Sequence, residues 1–375
     1  MKPFGIYIHI PFCLSKCPYC DFYSMRYTEE KACDYERALL KAIELAPGGN
    51  EPVDSIYFGG GTPVLMGAKR LNELLDALKK KYQVTEDCEI TVEANPAAIT
   101  LEELICIRRN GFNRISMGVQ SAVENQLKIL GRLHSVSQAQ ESVELCRAAG
   151  FDNISVDLML GTPGQTADSV ETFCQTFCPR VQHVSAYLLK VEEGTPFARR
   201  HIETQCPNDD ASADLYLSAV STLKKWGFDQ YEISNFAKDG LVSRHNTRYW
   251  NCTPYLGIGP AAHSFWNGER RFFPRDLEGF ASAENPWSLW ELDQPGGDFF
   301  EYAMLRLRLT EGLLFRQCRE RYPDIDIEPL KKKAAVLQAH GLVCADEEHI
   351  AFTPQGFLVS NSAIWSMLED YDMDL

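Results

Sequence analysis

From Phe4 to about residue 190, short runs of β-branched and aromatic residues alternate with stretches whose apolar positions recur at helical spacing. The strand-like runs begin near Phe4, Val53, Glu89, Arg114, Ile154 and His183. Between them, residues 35–45, 71–82, 101–109 and 138–149 read as amphipathic helices. Strands alternating with helices predict a parallel sheet covered by helices. Six such units predict an α/β fold built on a partial (β/α)6 barrel with parallel strands, and such a barrel collects its chemistry at the carboxyl ends of the strands.

After Val191 the pattern loosens. Residues 209–226 form a helix with Ala211, Leu215, Ala219 and Leu223 on one face, and Pro295-Gly296-Gly297 reads as a boundary. Beyond it, 298–309, 315–322 and 328–340 are helical, 341–352 is a hairpin, and Thr353-Pro354 starts a last helix. The chain thus divides into a barrel core (1-190), a barrel extension (191-297) and a small C-terminal α+β domain (298-375), as expected for 375 residues, more than one ordinary core.

With 45% hydrophobic and 24% charged residues the chain reads as folded. Its net charge of -15 argues against general nucleic-acid binding, because phosphates are repelled unless a basic patch is segregated. The clusters Lys79-Lys80-Lys81 and Lys331-Lys332-Lys333 fall in helices and read as solvated faces. Thirteen cysteines without a secretory segment point to a reducing, cytoplasmic setting. Cys33, Cys106, Cys146 and Cys174 read as packed thiols on helices. No run reaches the roughly 18 apolar residues of a spanning helix, so membrane contact is expected to be peripheral.

Three of the cysteines stand apart. Cys13-Leu-Ser-Lys-Cys17-Pro-Tyr-Cys20 follows directly on the apolar strand. Three thiolates on one tight loop can hold three irons of a 4Fe-4S cube and leave the fourth iron open to a small molecule. Ferredoxin runs instead supply a fourth cysteine for each cube. Taken alone, the loop also fits a zinc knuckle.

The loop resembles the signature of the radical S-adenosylmethionine (SAM) proteins, in which the amino and carboxylate groups of SAM chelate the open iron. Further matches follow at strand ends. Gly59-Gly60-Gly61-Thr62-Pro63 lets backbone approach a ligand; by resemblance this turn, with Gly60, Gly61 and Thr62, holds the SAM amino group, and Glu93 before Asn95-Pro96 contacts SAM. The stretch Gly111-Phe-Asn-Arg114-Ile-Ser-Met-Gly118-Val-Gln120-Ser121 is similar to the fourth-strand signature of the branch that contains oxygen-independent coproporphyrinogen III oxidase. In that branch Gln120, Arg132, Asp157, Tyr7 and Tyr19 match SAM-site positions.

Arg244-His245-Asn246-Thr247-Arg248-Tyr249-Trp250 matches the HNxxYW motif of the heme chaperones of this branch. An imidazole can ligate heme iron and aromatic rings can cover the macrocycle. The resemblance implies that His245 is the heme ligand, with Asn246, Tyr249 and Trp250 completing the motif; on residue type alone, a histidine among aromatics is more often structural. His263 is a second candidate, and the glycine-rich run 254–263 is expected to wall the cofactor side of the barrel mouth.

Two departures separate this chain from the oxidases. They carry a further cysteine where this chain has Phe22, and a long segment before the cluster where it has 12 residues. The resemblance therefore implies a heme chaperone binding a 4Fe-4S cluster, SAM and heme, forming a homodimer and delivering heme to apo-hemoproteins such as respiratory cytochromes. The alternatives are a coproporphyrinogen III oxidase or another radical SAM enzyme on a tetrapyrrole, and a plain iron-sulfur carrier. Catalytic residues stay unassigned. The C-terminal domain resembles the family's winged-helix-like domain, with a lid or docking role.

Overall fold

The structure, a computed structural model, describes residues 2–49 and 51–371. Its core is six strands, β1 (Phe4–Ile10), β2 (Pro52–Gly60), β3 (Gln83–Ala94), β4 (Arg114–Gln120), β5 (Asn153–Leu160) and β6 (His183–Leu188). They lie side by side in chain order and pair in parallel throughout. Each connection carries a helix: α1 (Glu29–Leu45), α2 (Gly67–Lys81), α3 (Leu101–Asn110), α4 (Val136–Ala148) and α5 (Ala167–Phe177). This is the partial α/β barrel that the alternation predicts.

Local chemistry sets the helix ends. Thr28 caps α1 by accepting from Lys31 N, so that helix begins six residues before the expected start at residue 35. Thr100 and Glu103 form a capping box on α3, and Gly111 ends it at φ 117, a left-handed conformation that glycine adopts without strain. On β1 the alternate residues Phe4, Ile6, Ile8 and Ile10 are fully buried, each contributing about 1.5–3 kcal/mol of transfer energy. Of the cysteines expected to pack, Cys146 and Cys174 are buried and Cys33 is half-buried; Cys106 is exposed, because it falls between the buried Leu104 and Ile107 on the outer face of α3.

The sheet continues past both edges of the barrel. After α6 (Asp209–Lys225), β8 (Asn235–Ala237) adds antiparallel to β6, and β7 (Asp229–Gln230) adds antiparallel to β8. A short helix, α7 (Arg244–Trp250), then leads to β9 (Tyr255–Ile258), which pairs in parallel with β1. Hence Tyr255–Ile258 of the glycine-rich run form a seventh parallel strand, buried along its length. Three antiparallel strands, β10 (His263–Trp266), β11 (Glu269–Phe272) and β12 (Glu291–Pro295), complete a twelve-stranded sheet with β12 and β7 at its edges.

The C-terminal part has α8 (Phe299–Arg306), α9 (Phe315–Arg321) and α10 (Glu328–Ala339), then a hairpin, Val343–Ala345 with His349–Phe352, which Leu313–Leu314 extends to three strands. The buried Arg306 donates to Gly312 O and to Asn251 Oδ1, and Arg321 donates to Cys252 O (2.9 Å), fastening this part to the end of α7. No helix of the described residues is long and apolar enough to cross a membrane.

Candidate functional site

The strand pattern makes the barrel interior polar. On each strand one set of alternate residues is apolar and the other is Tyr7, His9; Ser55, Tyr57, Gly59; Glu89, Thr91, Glu93; Arg114, Ser116, Gly118, Gln120; Ser155, Asp157; or His183, Ser185, Tyr187. Period-two geometry sends each set to one face. Many of the polar set line a cavity of about 620 Å³ that runs from Cys13, Cys17 and Cys20 down to Asn235 and Asn246. A parallel strand buried between helices and a packed core would read as apolar throughout; the alternation here is the signature of an interior kept for a ligand.

The cluster loop crosses the carboxyl ends of the strands. Cys20 N donates to Cys17 O (3.1 Å), closing a tight turn, and the three thiols are free and half-buried. Arg132 Nη1 donates to Cys17 Sγ (3.3 Å) and Thr62 Oγ1 to Cys13 Sγ (3.8 Å). Burial pushes the Cys13 and Cys20 thiols up, against hydrogen bonds that lower them. Among the described residues no three His, Cys, Asp or Glu converge on a single-ion site. Three half-buried thiols beside a guanidinium match the donor set of a cube that gives each thiolate its own iron. Phe22, 69% exposed, stands at the cavity rim.

Of the residues expected to hold SAM, Tyr19, Gly60, Gly61, Glu93, Gln120, Arg132 and Asp157 line the cavity, and Tyr7 and Thr62 stand beside it. Gly60 N donates to Glu93 Oε2 (3.0 Å) and Tyr57 OH to Glu93 Oε1 (2.8 Å). Burial nevertheless raises the Glu93 carboxyl to about 7, and that of Asp157 to about 6 against a hydrogen bond from Ser185. Gln120 ends β4 at φ 73, a left-handed conformation uncommon for a side-chain-bearing residue, and its Oε1 has no partner. Arg132 is held by Gly118 O (2.5 Å) and Asn95 Oδ1, while its Nε has no partner. Tyr19, within hydrogen-bond reach of Arg132, packs against Phe197. Tyr7 donates to His9 Nδ1 (3.0 Å), whose other nitrogen meets Tyr23 O; burial lowers His9 to about 4, so it is neutral. Gly60, Gly61, Thr62, Glu93, Gln120, Arg132 and Asp157 are thus brought together within reach of the cysteines.

The HNxxYW segment is placed elsewhere. It forms α7, which plugs the opposite, amino end of the barrel, where Glu89 accepts from both Arg244 N and His245 N (3.0 Å each). His245, expected from the resemblance to be the heme ligand, is fully buried here. Ser55 Oγ, which accepts from Arg248 Nε (3.0 Å), is hydrogen-bonded to His245 Nδ1 (3.1 Å), and His245 Nε2 is hydrogen-bonded to Tyr249 OH (2.9 Å). Neither ring nitrogen has a free lone pair, and burial lowers its pKa to about 3. Tyr249 packs edge-on to Tyr255 (4.6 Å), Trp250 is half-buried, and within the motif Asn246 lines the cavity. His263 is exposed and stacks on Phe272.

Residue types alone missed Tyr57, Asn95 and Ser185, which position the expected contacts. The polar alternation would have found Tyr57 and Ser185; Asn95 carries no signal beyond its place before Pro96.

Comparison with known proteins agrees with this geometry. Residues 7–177 match the model of the radical SAM superfamily, and 298–359 match that of the HemN C-terminal domain. The fold matches coproporphyrinogen III oxidase (HemN) from Escherichia coli with a TM-score of 0.83 over 98% of this chain and 90% of that one, at 22% identity. By fold and site this is a radical SAM protein. Its relatives include the heme chaperone HemW of Mycobacterium tuberculosis, 33% identical over 98% of this chain and 95% of the relative, and that of Escherichia coli, 36% identical over 83% and 84%. A mouse mitochondrial protein, radical S-adenosyl methionine domain-containing protein 1, is 37% identical over 97% of this chain and 87% of its own. The chain belongs to the heme chaperone HemW family.

Proposed function

We propose that this protein binds a 4Fe-4S cluster through Cys13, Cys17 and Cys20, and SAM through Tyr7, Tyr19, Gly60, Gly61, Thr62, Glu93, Gln120, Arg132 and Asp157, and that it carries heme to apo-hemoproteins such as respiratory cytochromes. The observation that supports the cofactor set is the meeting of three half-buried thiols with a cavity whose Gln120 Oε1 and Arg132 Nε lack partners. Family membership supports the heme reading. When bound, the cluster with SAM supplies one-electron chemistry; the protein's part is to orient SAM between Glu93, Gln120 and Asp157 and to limit water beneath it.

Heme ligation by His245 requires α7 to leave the barrel, breaking the bonds to Ser55 and Tyr249. The test is an anaerobic heme titration of cluster-loaded protein and of His245→Ala, followed in the Soret region and by retention of heme on a sizing column. Saturable binding that the variant loses supports a plug helix that opens to expose its imidazole. Equal binding moves the ligand, with the exposed His263 next. No retained heme in either overturns the chaperone reading.

A further inference from the structure

One buried cation of the barrel is not saturated. Arg114, the first residue of β4, is 1% exposed, lines the cavity, and has Nε and Nη1 without a hydrogen-bond partner. A buried guanidinium with open donors is costly. The carboxylates around it balance its charge but are committed elsewhere. Glu89 accepts from the first amides of α7, Glu93 from Tyr57 and Gly60, and Asp157 from Ser185 and Tyr187. The two imidazoles near it are equally occupied: His245 as described, and His183 between Ser155 Oγ (2.7 Å) and Tyr231 OH (2.9 Å). Asn235, whose Oδ1 also lacks a partner, and Asn246 line the same cavity.

Arg114 is not part of the cluster end. Its register partner on β3 is Thr91, two residues before the Glu93–Ser116 pair and six before Gln120 on its own strand. At about 3.3 Å per residue its Cα lies roughly 6–7 Å below the level of Glu93. Arg132, by contrast, touches Cys17.

We propose that Arg114 anchors a second, deep subsite of the barrel that takes the carboxylate of a small organic ligand beneath the SAM positions, with Asn235 and Asn246 beside it. The planar guanidinium fork matches a carboxylate in geometry and charge. The ligand is small because α7 closes the floor, and a cavity of about 620 Å³ is the size of one drug-sized ligand. SAM in its upper part leaves no room for a macrocycle. The subsite stands independently of the heme reading.

The test uses propionate as probe, titrated anaerobically into cluster-loaded protein and followed by saturation-transfer NMR. Arg114→Gln and Asn235→Asp, the latter setting a rival carboxylate into the floor, should each weaken binding at least tenfold, whereas Lys190→Gln, which removes an exposed cation of the cavity lining, should stay within twofold of the parent. Far-UV circular dichroism checks folding; where Arg114→Gln does not fold, Asn235→Asp decides. No saturable propionate signal, a signal that survives both floor variants, or one lost only in Lys190→Gln overturns the subsite.

Discussion

Gly61 shows how tightly single residues fix the cluster end. A Cβ there would lie 2.6 Å from the carbonyl oxygen of Phe12, the residue before Cys13. Backbone cannot rotate away as a side chain can, so Gly61→Ala must push the cysteine loop. We expect it to destabilise the protein by about 1–3 kcal/mol, as overpacking does, and to lower the iron bound per chain after anaerobic reconstitution; unchanged iron content would show that the loop yields freely. At Gly60 the constraint is double, a φ of +117 and the His9 ring 2.6 Å from a Cβ. The glycines and cysteines were legible because their chemistry lies in residue type and spacing. Asn95 was not: it matters by donating to Thr62 Oγ1 (2.7 Å) and accepting from Arg132, bonds that span 33 and 37 residues of chain.

At the scale of elements, α7 was the piece whose place residue patterns left open. Seven residues are too few to show a helical period, and the motif's aromatic composition suits a heme face and a buried plug equally well. Tertiary contacts decide for the plug in this structure. Arg248 donates to Ser55 Oγ, Pro3 O (3.1 Å) and the Asp54 carboxylate, joining α7 to the amino ends of β1 and β2. Arg248→Met should destabilise by about 3 kcal/mol, since it leaves a half-buried carboxylate without its partner. A urea midpoint unchanged from the parent would deny that the plug is held from its polar side. The same variant should raise the rate of heme uptake if α7 must open.

At the scale of the whole molecule, buried titratable groups pull stability in opposite directions with pH. His9, His134 and His245 are lowered to about 4, 4 and 3, and His183 well below its usual value, all chiefly by burial. Below pH 6.5 the unfolded chain takes up these protons and the folded one does not, so stability falls as pH falls. Glu93, Asp157 and Glu232, raised to about 7, 6 and 7, act the other way: between their unfolded values and these, the folded chain holds the extra protons and is favoured by acid. Four imidazoles outweigh three carboxyls, so unfolding free energy should drop from pH 7 to pH 5. Replacing Glu93 and Asp157 by Gln and Asn removes part of the compensation, and the drop should steepen by a few kcal/mol, about 1.4 kcal/mol for each tenfold gain in proton affinity that folding no longer confers. Denaturant titrations at pH 5, 6 and 7 on parent and variant, in one cofactor state, check this; parallel pH profiles would show that the two carboxyls ionise as if exposed.

The order of strands and helices, the cysteine loop and the glycine turn follow from the sequence alone, because hydrophobic period, turn chemistry and ligand spacing are properties of neighbouring residues. The six core strands and most of the helices lie where their apolar spacing puts them. The seventh parallel strand, β9, could not be foreseen: four residues carry no period, and its partner β1 lies about 250 positions earlier. Tertiary structure likewise decided which end of the barrel each motif occupies. Cys13 and His245 belong to segments equally rich in chemistry, yet one lies at the carboxyl ends of the strands with thiols half open, and the other is sealed at the amino ends with both nitrogens bonded. Sequence sets what a side chain can do; whether its lone pair is free depends on partners that only folding brings within 3 Å.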